Sequence, residues 1–229
     1  MKFLYLYIDS FTIIVPLLFS FHPKIKFYKT WKAFIPSIIL VAIVFVLWDK
    51  TFMDMGIWSF NQRYISGLYI IGLPVEEILF FICIPYSCVF TYYCVDKFYP
   101  ISWNPKVENI FVALFSFCLV LVGFIFKDKL YTSITFISTA SLCLYLKFIC
   151  KIKWFGRAAS VYAILLIPFF IVNGILTGTG LQEPVVRYNY FETFNFRILT
   201  IPFEDSIYGF ELFLLNTFLY TLFRNKMSL

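Results

Sequence analysis

Apolar residues come along this chain in seven long runs, at roughly 3–21, 33–49, 76–96, 107–126, 130–149, 158–176 and 205–223. A run of about 20 apolar residues crosses the hydrocarbon core of a bilayer as an α-helix. None of these runs alternates apolar with polar residues. In lipid, a helix is the only open-chain solution that satisfies its own backbone, so the pattern predicts seven transmembrane helices. The first run leads into His22-Pro23 without a small-residue cleavage site and reads as a retained span. Two of the breaks between runs are long, about 50–73 and 177–203. Both are aromatic: Trp58, Phe60, Tyr64 and Tyr69 in the first, Tyr188, Tyr190, Phe191, Phe194 and Phe196 in the second. Loops of this length are uncommon unless functional or disordered, and this composition suggests lids.

Composition and charge fix the class and the orientation. Of 229 residues, 61% are hydrophobic and 14% charged, where a soluble domain has about 25% charged residues. Of the 19 Lys and Arg, 12 fall in one alternating set of loops and the C-terminal tail, including Lys24, Lys26, Lys29 and Lys32, and seven on the other side. The positive-inside rule then makes this a multi-pass cell-membrane protein with its N-terminus outside and its C-terminus cytoplasmic. The net charge of +6 reports that orientation, not a nucleic-acid partner. The six cysteines all lie in apolar runs with no CxxC pair or metal spacing, and read as packing residues. His22 is the only histidine. A His-based metal site and a Ser–His triad are therefore excluded, and no metal ligands are assigned.

The chain also repeats itself. Lys24-Ile25-Lys26-Phe27 returns as Lys151-Ile152-Lys153-Trp154 at an offset of 127. At an offset of 128, Phe60-Asn61 returns as Tyr188-Asn189, and Pro74-Val75-Glu76-Glu77 as Pro202-Phe203-Glu204-Asp205. Each copy has two helices, a long outer loop and a third helix entered through the acidic motif. Three helices is an odd number, so a second copy fused directly would insert upside down; the run at 107–126 restores its orientation. The predicted fold is all-α integral membrane, with two parallel three-helix repeats joined by a linker helix. The first repeat covers 1–98, the linker 99–128 and the second repeat 129–229, related by a pseudo-twofold axis along the membrane normal. The acidic pairs then face each other at one depth.

Acids beside a hydrocarbon segment are costly and mark function by default. The plain alternative for Glu76, Glu77, Glu204 and Asp205 is helix punctuation, since proline favours the first helical position and first-turn acids complement the dipole. A cap needs one acid, whereas each copy keeps two. The chemical reading is proton transfer. Burial raises a carboxyl pKa and a second carboxylate raises it further, and an acid still protonated near neutral pH is a general acid. Aromatic faces would stabilise a developing carbocation by ~2 kcal/mol or more when desolvated. Acids and aromatic rings without histidine, metal motif or nucleotide loop suit protonation of an alkene rather than hydrolysis or hydride transfer. Candidate supporting residues are Trp58, Phe60, Asn61 and Asn189 in the loops, Phe80 after the first motif, and Asn173 before the second loop. In the last helix Tyr208 and Glu211 follow Glu204 on one face, and Asn216 shares the face of Asp205. Glu211, matched by Cys83 in the first repeat, has a bland alternative as an interhelical hydrogen-bonded residue. Taken singly, Trp58 and Phe80 also fit packing or interfacial-belt roles.

The doubled motif resembles the small integral-membrane lycopene cyclases of the heterodimeric or fused type. The stretches that carry the likeness are Leu73–Glu77 with Phe80-Phe81, and Ile201–Asp205 with Tyr208-Gly209-Phe210 and Asn216. It spans essentially the whole chain as a fused form; Glu211 departs from the pattern. The resemblance implies a carotenoid cyclase, an isomerase of the intramolecular-lyase type. It would turn the acyclic ψ-end groups of lycopene into β-rings by protonation, attack of the neighbouring alkene and loss of a ring proton. Glu76, Glu77, Glu204 and Asp205 would form the acid/base set. The reaction is redox-neutral and implies no cofactor; the chain lacks the GxGxxG motif of flavin-dependent cyclases. The implied partners are the bilayer, a C40 carotenoid entering laterally from it, and a second copy or other carotenoid-pathway enzymes. A cyclase for another carotenoid is one alternative. Another is a small-molecule transporter on the three-plus-one-plus-three plan of the sugar carriers called SWEETs, although the repeats lack that group's proline-glutamine pair. A retinal-binding receptor is disfavoured because the last run has no lysine for a Schiff base.

Overall fold

Residues 2–227, which the computed structural model describes, form seven long helices. They are α1 (Leu4–Phe19), α2 (Trp31–Asp54), α3 (Val75–Phe98), α4 (Pro105–Ile125), α5 (Leu130–Leu144), α6 (Phe155–Leu176) and α7 (Phe203–Lys226). Six are long and apolar enough to cross a membrane, α5 with the wider turn that extends it to Ile149; α1, at 16 residues, is shorter. α2, α3 and α7 overrun their apolar runs at the polar ends. α2 continues to Asp54, its last turn bridged by Lys50 and Asp54, so the first long loop starts at Met55 and not at Lys50. Backbone hydrogen bonding continues past the point where hydropathy stops.

The third helix of each repeat lies at the centre. α3 packs on α1, α2, α6 and α7, and α7 on α2, α3, α5 and α6. The linker α4 sits outside, along α5. Gly123 permits this approach, because a Cβ there would come within 2.8 Å of the Ile137 side chain; small residues let membrane helices pack closely. At one end of the central pair Asp96 and Arg224, 128 residues apart, bond to each other at 3.3 Å, and Arg157 joins the same carboxylate.

At the other end the two long loops meet. β1 (Trp58–Phe60) pairs antiparallel with β4 (Val186–Tyr188), in the register Trp58↔Tyr188, Ser59↔Arg187 and Phe60↔Val186. Ser59 thus faces its own repeat equivalent, and the flanking residues face each other's equivalents. A two-fold rotation between the repeats produces this register. Two hairpins follow at the same offset, β2 (Tyr69–Ile70) with β3 (Leu73–Pro74) before α3, and β5 (Arg197–Ile198) with β6 (Ile201–Pro202) before α7. Their turns use left-handed backbone at Ile71 (φ 51°) and Leu199 (φ 59°). The loops read from sequence only as aromatic lids are therefore strand-paired. Trp58-Ser59-Phe60 and Val186-Arg187-Tyr188 do alternate apolar with polar, but over three residues each, below the length at which alternation identifies a strand.

Candidate active site

Pro74 and Pro202 end β3 and β6 in extended conformation (ψ 142° and 136°), and a helix starts at the next residue in each case. The two acids of each motif are then the second and third residues of a helix, where successive side chains point about 100° apart. They cannot share a direction. Glu76 and Glu204 turn back to the loops: the Ser66 amide donates to Glu76 Oε1 at 2.6 Å and the Phe194 amide to Glu204 Oε1 at 2.9 Å, each from ten residues upstream. The Thr132 hydroxyl also donates to Glu204 Oε1, at 2.6 Å. The other oxygen of each, Glu76 Oε2 and Glu204 Oε2, is buried with no partner. Glu77 and Asp205 instead face a cavity of about 490 Å³.

That cavity lies between α1, α3, α6 and α7 and is lined mostly by apolar side chains. Trp58, Phe60, Val186 and Tyr188, from the β1–β4 ribbon, close its loop end. The two acids on it are treated differently. Glu77 receives one hydrogen bond, from Tyr5 Oη to Oε2 at 2.6 Å. Asp205 receives three: Tyr131 Oη to Oδ1 at 2.6 Å, and Asn173 Nδ2 and Tyr188 Oη to Oδ2 at 2.8 and 3.0 Å. Burial, and then the charge of Asp205, push the Tyr188 hydroxyl well above the ordinary tyrosine range, so it stays a donor. Three donors on two oxygens build Asp205 as an acceptor, whereas Glu77 keeps one oxygen free to give or take a proton.

The cavity is one-sided although the repeats are not. α2 packs closely on both α3 and α7, but its counterpart α6 packs less extensively on either, and the cavity occupies the difference. The residue that marks the difference is Gly209. Its equivalent in the first repeat is Phe81, which fills the space towards Phe45 at a ring separation of 6.0 Å. A Cβ on Gly209 would meet Tyr162 Oη at 2.8 Å, and that hydroxyl already donates to the Ser206 carbonyl at 2.6 Å. Phe11 of α1 and Ile171 of α6 line the cavity while remaining 74% and 62% exposed. Its open side therefore lies between α1 and α6, towards the lipid-facing surface.

The remaining candidates divide by place. Trp58, Phe60, Phe80, Asn173 and Tyr208 all line the cavity. Asn61 and Asn189 do not; they tie the two loops together. Asn61 Nδ2 donates to Glu183 Oε2 and to the Pro184 carbonyl, and Asn189 Nδ2 to the Gly56 carbonyl, again at the repeat offset. Glu211 faces α5, where the Ser138 and Thr139 hydroxyls donate to it at 2.8 Å each. Asn216 is buried and bonds to Leu212 of its own helix.

Three groups on the cavity were missed in the sequence. Tyr5 and Tyr131 open the first helix of each repeat, an aromatic match that the apolar count absorbed. Asp49, 4% exposed and also on the cavity, stands in the sequence at the end of the second apolar run. A charged residue closing a span looks like an interfacial boundary. Its burial depends on α2 continuing another turn under the loops. Asp9 of α1, 1% exposed with neither carboxyl oxygen partnered, is a second acid buried within an apolar run, but it is not on the cavity.

An apolar chamber open to the lipid-facing side, with a singly bonded acid and a triply bonded acceptor at its closed end, can pass a proton to and from a hydrocarbon. A family model described as lycopene cyclase matches residues 2–95 and 128–223. Comparison with curated proteins and with solved structures gives no match.

Proposed function

The chain belongs to the lycopene cyclase family, and we propose that within it the protein is a lycopene β-cyclase, an intramolecular lyase that closes ψ-end groups into β-rings. The observation that carries this reading is that one acid from each repeat, Glu77 and Asp205, reaches a single apolar cavity with a lateral opening. An end group entering between α1 and α6 meets Glu77 at the closed end. Glu77 gives its proton to the terminal double bond, leaving a tertiary cation. The next alkene attacks that cation, forming the ring bond and moving the positive charge onto a ring carbon. Asp205 then takes a proton from the adjacent carbon, and the C–H pair becomes the ring double bond. The rings of Trp58, Phe60, Phe80 and Tyr208 present π-faces to the cation. Proton gain and loss balance, so the cycle consumes no oxidant or reductant.

On this reading Glu76 and Glu204 hold the loops in place and do not exchange protons with substrate. The ribbon lies on the outer side of the cell membrane, with the C-terminus cytoplasmic. The test is expression in a host that accumulates lycopene, with products separated by chromatography: β-ring carotenoids are expected. Persistence of lycopene alongside membrane-inserted, folded protein would sink the proposal. Purified protein should also cyclise lycopene in detergent without added flavin, and strict dependence on reduced flavin would overturn direct protonation.

A further inference from the structure

The proposed cycle, on which this inference rests, leaves a proton on the wrong residue: after each ring closes, Asp205 holds one and Glu77 lacks one. We propose that Asp49 and Tyr208 return that proton internally, from Asp205 to Glu77, without exchange with bulk water.

The observations are a set of orphaned polar atoms around one space. Asp49 Oδ2, Tyr208 Oη and Trp58 Nε1 are all buried without a hydrogen-bond partner, and all three residues line the cavity that Glu77 and Asp205 share. A buried polar group without a partner is destabilising. Three such groups on the cavity that holds Glu77 and Asp205 mark a place built for something that joins them. A buried water, which takes two to four polar partners, meets that description.

Their positions fit a route. Tyr208 follows Asp205 by three residues on α7, so the two share a helix face. Asp49 comes from α2 on the other flank; from α6, Asn173 is the group that donates to Asp205. One flanking helix thus gives an acid its amide donor, and the other adds a second carboxyl to the cavity. Tyr208 is equally one-sided, since its counterpart in the first repeat is Phe80, which has no hydroxyl. The ribbon closes the loop end and the open side faces lipid, so neither boundary offers protons freely. Through that water, protonated Asp205 gives its proton to Tyr208 Oη as the hydroxyl passes its own on to Asp49. Asp49 then gives a proton to the Glu77 carboxylate. One proton moves, and each relay group ends as it began.

Solvent label distinguishes this route from resupply by water. When lycopene is cyclised over many turnovers in D₂O, internal return sends protium lifted from one ring to the next end group. Wild-type product is therefore expected to carry clearly less than one deuterium per ring. Tyr208→Phe, which copies the first repeat and keeps the packing, should bring deuterium to one per ring and slow turnover at least tenfold. Asp49→Asn should form about one ring per protein molecule in a burst and then stall, because Glu77 starts loaded and is not reloaded. Full deuteration of wild-type rings overturns the proposal while leaving the cyclase reading intact. So does a Tyr208→Phe product with wild-type label, or the absence of any burst from folded Asp49→Asn. A wild-type protein that forms no rings at all overturns the cyclase reading itself.

Discussion

At the scale of single residues, the 100° between neighbours on a helix separates two adjacent acids that look equivalent in sequence. Glu77 and Asp205 reach the cavity; Glu76 and Glu204 accept loop amides. Removing a general acid or base costs about 10²–10⁴-fold. Glu77→Gln and Asp205→Asn should each lower ring formation by at least ~10²-fold, measured chromatographically per unit of membrane-inserted protein. Glu76→Gln and Glu204→Gln keep a carbonyl for the Ser66 and Phe194 amides, and should lose less than ~10-fold, well short of a lost acid. Equal losses at all four positions would contradict the division. The four acids were visible in the sequence as a set. Asn173 was also legible as a supporting residue, but the pairing with Tyr5 and Tyr131 was not, because those partners lie 72 and 74 residues away.

Elements decide where the cavity is. The repeats place Phe81 and Gly209 at equivalent points of α3 and α7, and the cavity lies on the glycine side. Gly209→Phe should fill the chamber much as Phe81 fills its own space, with ring formation falling at least tenfold while the protein still inserts; unchanged turnover would show that substrate lies elsewhere. The loops act as one element as well. Asn61→Ala removes hydrogen bonds to Glu183 and Pro184 across the ribbon. It should lower the unfolding midpoint in detergent only modestly, because the half-exposed Glu183 carboxylate regains water when the amide is lost. The helices were legible because hydropathy is a local property of the chain. The ribbon was not: a three-residue strand is specified by its partner, and here the partner is 128 residues distant.

Across the whole molecule, the fused repeats let equivalent positions diverge. Asp96 and Arg224 are equivalents that have become an ion pair, shared with Arg157. Identical repeats would place like charges there. Asp96→Asn leaves two arginines facing each other without their carboxylate. The pair is about one-fifth exposed, so solvent screening reduces the cost to ~1–3 kcal/mol. The expected result is a lower unfolding midpoint with turnover per folded molecule unchanged, since the pair lies at the end of the central helices away from the ribbon that closes the cavity. A large fall in turnover at constant stability would mean that this end is coupled to the site.

The sequence by itself determined the seven helices, the doubled architecture and the acids at its centre. Apolar length, loop charge and repetition are properties of consecutive residues, and the bilayer requirement leaves them one solution. Only the tertiary structure decided which acid of each pair meets the cavity, that Asp49 joins them, and that the cavity opens on one side alone. Those outcomes depend on how each helix is rotated about its own axis and how closely α2 and α6 approach the central pair. Both are fixed by side chains from opposite repeats meeting in space.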